Sequence, residues 1–80
     1  MEPGTFDRAL QTLVRKTPFR AFTVELVSGK RFKVDHPEAL AYRHGYAIFV
    51  APDGAFTIFD HESVSRFVGR HTKPRDNGNQ

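Results

Sequence analysis

The sequence predicts an α+β, mainly β domain: one N-terminal helix followed by a strongly bent antiparallel sheet of five to six short strands. Three observations carry this expectation. Phe6, Leu10, Leu13 and Val14 fall at i, i+4, i+7 and i+8, the single apolar stripe of a docked helix. Period-two alternation runs through Phe22, Val24 and Leu26 and again through Phe32 and Val34, on either side of a Ser28-Gly29 break, as in a hairpin with one buried face. Short apolar segments then recur between turn signals up to about residue 68, the spacing of a small curved sheet or barrel.

Size and composition bound the rest. Eighty residues make one domain near the lower end of what an unstapled core can stabilise. With no cysteine, neither disulfides nor thiolate metal sites are available, so the core must suffice alone or be completed by another chain. Eight Phe, two Tyr and a hydrophobic share of 39% argue against a wholly disordered chain. No apolar run approaches the roughly 20 residues of a membrane span, and the first residues lack the pattern of a signal peptide. A cytoplasmic location without membrane contact is therefore expected. The net charge of +3 invites a nucleic-acid reading, but Arg70, Lys73 and Arg75 against Asp76 supply most of it, leaving the body nearly neutral.

Taken in order, the first element is a helix over 5–16. Thr5 is its expected N-cap, and Pro18 biases Thr17 away from helical angles. The hairpin over 22–34 follows. Pairing Leu26 with Phe32 and Val24 with Val34 keeps both strands apolar on one face and implies a three-residue loop, Ser28-Gly29-Lys30, or a bulge. Pro37 cannot donate to a ladder, so the strand stops, bends or reaches an edge at Asp35-His36-Pro37-Glu38. A short strand over 39–43, a His44-Gly45 turn and an apolar run over 46–51 come next; the continuity of that run implies burial on both faces. Pro52-Asp53-Gly54 is a turn, 55–59 the return strand, Asp60-His61-Glu62-Ser63 a further turn, and 64–68 the last strand. The domain is thus expected over 1–68, and 69–80, which holds no apolar residue, as a disordered tail.

Two resemblances attach to these elements. Pro18-Phe19-Arg20-Ala21-Phe22, followed by Leu26, Ser28-Gly29, Phe32, Val34 and His36-Pro37-Glu38, resembles a group of short uncharacterised bacterial proteins, a likeness that brings no activity with it. The N-terminal helix with the Val24, Leu26, Val27 and Gly29 hairpin is similar to the Sm-like small barrel of the bacterial RNA chaperone family. Phe59-Asp60-His61-Glu62-Ser63-Val64-Ser65 is similar to that family's Tyr-Lys-His motif before the last strand. The resemblance implies an SH3-like or Sm-like barrel and RNA binding. Asp60, however, stands where the family's RNA-contacting lysine would be, one extra residue precedes Val64, and Pro37 interrupts the long bent strand.

Candidate chemistry is sparse. His36, His44, His61 and His71 form no metal-ligand spacing, and no serine sits in a glycine-flanked elbow. No catalytic residue, metal or cofactor is assigned, and a non-enzymatic role is expected. Two basic clusters, Arg15/Lys16/Arg20 and Lys30/Arg31/Lys33, with His61, are the candidate contacts for RNA or another acidic partner. Val27, Phe49 and Phe59 fall on the phase opposite to their strands' main apolar residues and form a candidate self-association face, unless the helix covers them. The expected function is a binding module that forms homo-oligomers or docks on another protein through a strand edge or this second face. The alternative is Sm-like RNA binding through the basic clusters.

Overall fold

The computed structural model describes residues 1–69; beyond Gly69 the expected tail lies outside the described residues. Helix α1 spans Pro3–Arg15 and is followed by strands β1 (Phe22–Leu26), β2 (Arg31–Val34), β3 (Leu40–Arg43), β4 (Tyr46–Val50), β5 (Phe56–Asp60) and β6 (Val64–Gly69). The strands form two antiparallel three-stranded sheets, β2-β1-β6 and β3-β4-β5, rather than one continuous sheet closed on itself. The break lies where Pro37 opens a 3₁₀ turn, Pro37–Ala39, between β2 and β3.

The helix begins earlier than Thr5. Pro3 is its first residue, where a missing N–H costs nothing and the ring presets φ, and the Phe6 N–H bonds the Glu2 carbonyl at 2.9 Å. It ends at Arg15 as Lys16 turns extended ahead of Pro18. Its stripe buries Phe6 and Leu10 completely, with Leu13 and Val14 packed at the margin.

Phe6 joins the two sheets. Its ring meets Phe59 of β5 edge-on at 5.9 Å and Phe67 of β6 at 6.0 Å. A second bridge runs from Phe32 of β2, stacked on Phe49 of β4 at 4.8 Å and edge-on to Phe59 at 5.2 Å. The remaining core is Phe22, Val24, Val34, Leu40, Ala47 and Val64.

The β1–β2 register differs from the expected one by two residues. Val24 faces Phe32, Phe22 faces Val34, and the Leu26 N–H bonds the Lys30 carbonyl at 2.8 Å, so the loop is Val27-Ser28-Gly29. A shift of two leaves every side chain on its face, so face matching could not choose between the registers. The turn decides: a three-residue loop wants a left-handed last residue, and Gly29 has φ +95°. Pro52-Asp53-Gly54 repeats the device, with Gly54 at φ +94° and the Ala51 N–H on the Ala55 carbonyl at 2.7 Å. His44 and Gly45, at φ +53° and +84°, make the two-residue turn between β3 and β4.

Candidate interaction surface

The two sheets present outer faces of opposite character. On β2-β1-β6 the outward side chains include Lys33, Arg31, Glu25, Thr23 and Arg66. Glu25 sits between two cations: Arg66 Nε donates to its Oε1 at 2.6 Å and Arg31 Nε lies 3.9 Å from Oε2. Lys33 pairs with Asp35 at 3.6 Å. The hydrogen bond from Arg66, reinforced by both arginine charges against a smaller opposing desolvation, holds the Glu25 carboxyl below the ordinary carboxylate range. Asp60 is held low in the same direction, chiefly by hydrogen bonding from the Ser63 side chain, with the Ser63 N–H on Oδ1 at 3.0 Å adding to it.

Both depressed carboxyls stabilise the fold above their unfolded-state pKa, and that stabilisation is lost as pH falls through the folded-state values. Stability is therefore expected to decline below about pH 4, and Glu25→Gln to flatten that decline, in urea unfolding repeated across a pH series. Equal acid slopes for wild type and variant would exclude Glu25 as a source.

The outer face of β3-β4-β5 is apolar along β4 and most of β5, with Arg43 and Asp60 flanking Tyr46 at one end. Tyr46, Ile48 and Val50 on β4 stand beside Phe56 and Ile58 on β5, with Val50 opposite Phe56 and Ile48 opposite Ile58. Phe56 is 64% exposed, Ile58 66% and Tyr46 59%. This reverses the expected phase. Phe49 and Phe59 are buried in the core, so neither belongs to a self-association face; of the three residues assigned to one, only Val27 is exposed, in the first hairpin loop. The run over 46–51 is accordingly buried on one side only. A signal for this was present in β3: the two-residue turn places charged Arg43 opposite Tyr46, which marks that phase as outward.

The apolar face coincides with an open edge. Bonds from Ala51 N–H to the Ala55 carbonyl and from His61 N–H to the Gly45 carbonyl, at 2.7 and 2.8 Å, set the ladder phase of β4 and β5. Residues 55, 57, 59 and 61 thus bond to β4, while Phe56 and Ile58 turn their N–H and C=O groups away from it. β5 is an edge strand: on that side Asp60 is bonded by Ser63, and among the described residues no strand pairs with Phe56 or Ile58. By the same phase rule β2 turns outward the backbone of Arg31 and Lys33, whose charges shield that edge. β5 carries no such protection: between Phe56 and Ile58 there is no charge, proline or bulge.

The sequence-assigned basic residues are dispersed. Arg15 ends α1, Lys16 and Arg20 follow it, Lys30 adjoins the hairpin loop, and Arg31 and Lys33 lie on β2; all are exposed. Arg20 and Lys33 alone share a cleft, with Phe22, Thr23 and Val68. His61 lies elsewhere, half-buried against Gly45, with Nδ1 2.8 Å from the Met1 carbonyl. Among the described residues no three His, Asp or Glu converge as a metal site, and no helix is long and apolar enough to cross a membrane. No protein-family model, curated protein or solved structure matches the chain.

Proposed function

We propose that the protein is a non-enzymatic binding module whose contact surface is the open edge of β5 together with the apolar outer face of β4 and β5. One observation carries the reading: the residues whose backbone groups are free at the edge, Phe56 and Ile58, are also those with the most exposed large side chains on that face. An extended segment added there gains ladder hydrogen bonds from the backbone and apolar contact from alternate side chains. Covering one such Phe or Ile side chain is worth about 1.5–3 kcal/mol, enough to make the patch a binding determinant.

The test uses peptides selected from a random library on the immobilised full chain. Those peptides are expected to lose at least about tenfold in affinity on Ile58→Lys, which places a charge on the edge. They are expected to bind a Lys30/Arg31/Lys33→Glu variant unchanged. Peptides indifferent to Ile58→Lys would sink the reading.

In the same reading the two sheets are the halves of an SH3-like or Sm-like small barrel. Support comes from the aromatic bridges Phe6–Phe59 and Phe32–Phe49 across them and from the turn that links β2 to β3. Fold likeness alone assigns no ligand. A second reading, RNA or another acidic partner, draws on the cleft that brings Arg20 beside Lys33 and Phe22. Fluorescence anisotropy with single-stranded RNA decides it: salt-sensitive binding weakened by Lys33→Glu is its signature, and no binding at low salt removes it.

A further inference from the structure

We infer that the occupant of the β5 edge is a second copy of this chain, paired β5 to β5 in antiparallel register with Thr57 at the two-fold axis. The inference rests on the edge-binding reading above and adds the identity of the partner. The strand is self-complementary in one register. With Thr57 opposite Thr57, Phe56 faces Ile58 of the second copy and Ile58 faces its Phe56, an aromatic–β-branched pair on each side of the axis. Those are the residues whose backbone groups point outward, so the ladder and the side-chain pairs form together.

Charge agrees with that register. Asp60, the one charged residue of β5, falls opposite position 54 rather than opposite the other Asp60, so no two acidic residues meet. The neighbouring registers that preserve the faces are worse. Centring on Phe56 leaves Ile58 opposite Gly54 with no side chain to meet, and centring on Ile58 sets each Phe56 against Asp60. The product is a continuous sheet running β3-β4-β5-β5-β4-β3 whose outer apolar faces adjoin. One pair of five-residue strands is a small contact beside the roughly 800 Å² per partner of a standard stable complex, so the association is expected to be reversible and concentration-dependent.

The chain contains no cysteine, so one introduced thiol reports the axis directly. In this register residue 57 meets its own copy as a non-hydrogen-bonded pair, with Cα atoms about 4.5 Å apart, within disulfide reach. Thr57→Cys in oxidised glutathione is expected to form a disulfide-linked dimer at least about tenfold faster than Ser65→Cys on the exposed part of β6, and to lose that advantage when Ile58→Lys is added. Unmodified protein is expected to sediment as a monomer–dimer mixture and Ile58→Lys as monomer with unchanged circular dichroism. Wild type that stays monomeric up to about millimolar concentration, or equal cross-linking of the two thiols, overturns the inference. If selected peptides still need Ile58 in that case, the edge belongs to a different chain and only the second copy is excluded.

Discussion

Phe6→Ala is expected to destabilise the protein by about 3–5 kcal/mol, the usual cost of truncating a fully buried aromatic side chain. The site justifies the upper half of that range. Phe6 has no solvent exposure, and its ring touches Phe59 in one sheet and Phe67 in the other, so its loss uncouples α1 from both at once. Taking roughly 0.05–0.15 kcal/mol per residue, the whole fold is stable by only about 4–12 kcal/mol, and the variant approaches unfolding at room temperature. Phe6→Leu keeps most of the volume and is expected to cost under about 1.5 kcal/mol. Urea unfolding of the two variants measures the difference. Near-equal midpoints for Phe6→Ala and wild type would mean that the helix is not the link between the sheets.

Gly45→Ala is the second large effect, for a different reason. Gly45 has φ +84°, a conformation that costs an L-residue about 1–2 kcal/mol. An added Cβ would also lie 2.8 Å from His61 Cδ2 and 3.0 Å from Pro3 Cβ, and yielding to it means moving the start of α1 away from the β3–β4 turn. Overpacking of that kind costs a further 1–3 kcal/mol or so, for a total of about 2–5 kcal/mol. The Gly45 N–H is held by Asp7 Oδ1 at 2.8 Å, which leaves the turn little room to shift. Gly54→Ala is the control. It shares the positive φ, +94°, but nothing lies within 4 Å of the new methyl, so only the backbone cost should appear. A melting-temperature loss for Gly45→Ala clearly larger than for Gly54→Ala is the expected result; equal losses would mean that the crowding is relieved freely.

Much of this architecture was legible in the sequence because local rules decided it. Phe6 and Leu10 lie on the stripe that defines the helix, and the strands begin or end within a residue or two of where alternation and turn residues place them. The helix start was misplaced because Thr5 is a plausible cap, whereas Pro3, preset for the first helical position, starts the turn two residues earlier. The contact surface was harder to read. In β4 both phases are apolar, Tyr46/Ile48/Val50 and Ala47/Phe49, so hydropathy could not say which one faces the core. Tertiary pairing decided it. Phe32 stacks on Phe49, while Leu40 and Tyr42 of β3 lie opposite Phe49 and Ala47 and so commit that phase inward. The residues of the basic clusters are exposed, and Glu25 and Asp35, which partly neutralise Arg31 and Lys33, act through contacts that charge counting along the chain does not weigh.

An exposed apolar strand edge is ordinarily a liability that proteins shield. β2 is shielded by Arg31 and Lys33, and β5 is not. Residue-resolved amide hydrogen exchange measures this most directly, from about 10 μM to about 1 mM protein. In dilute solution Thr57 and Phe59, bonded to β4, are expected to be protected while Phe56 and Ile58 exchange rapidly. At high concentration Phe56 and Ile58 should gain protection, and Ile58→Lys should prevent the gain at Phe56. Phe56 and Ile58 already as protected as Thr57 in dilute solution, or unchanged at every concentration, would contradict an open edge that pairs with a second strand.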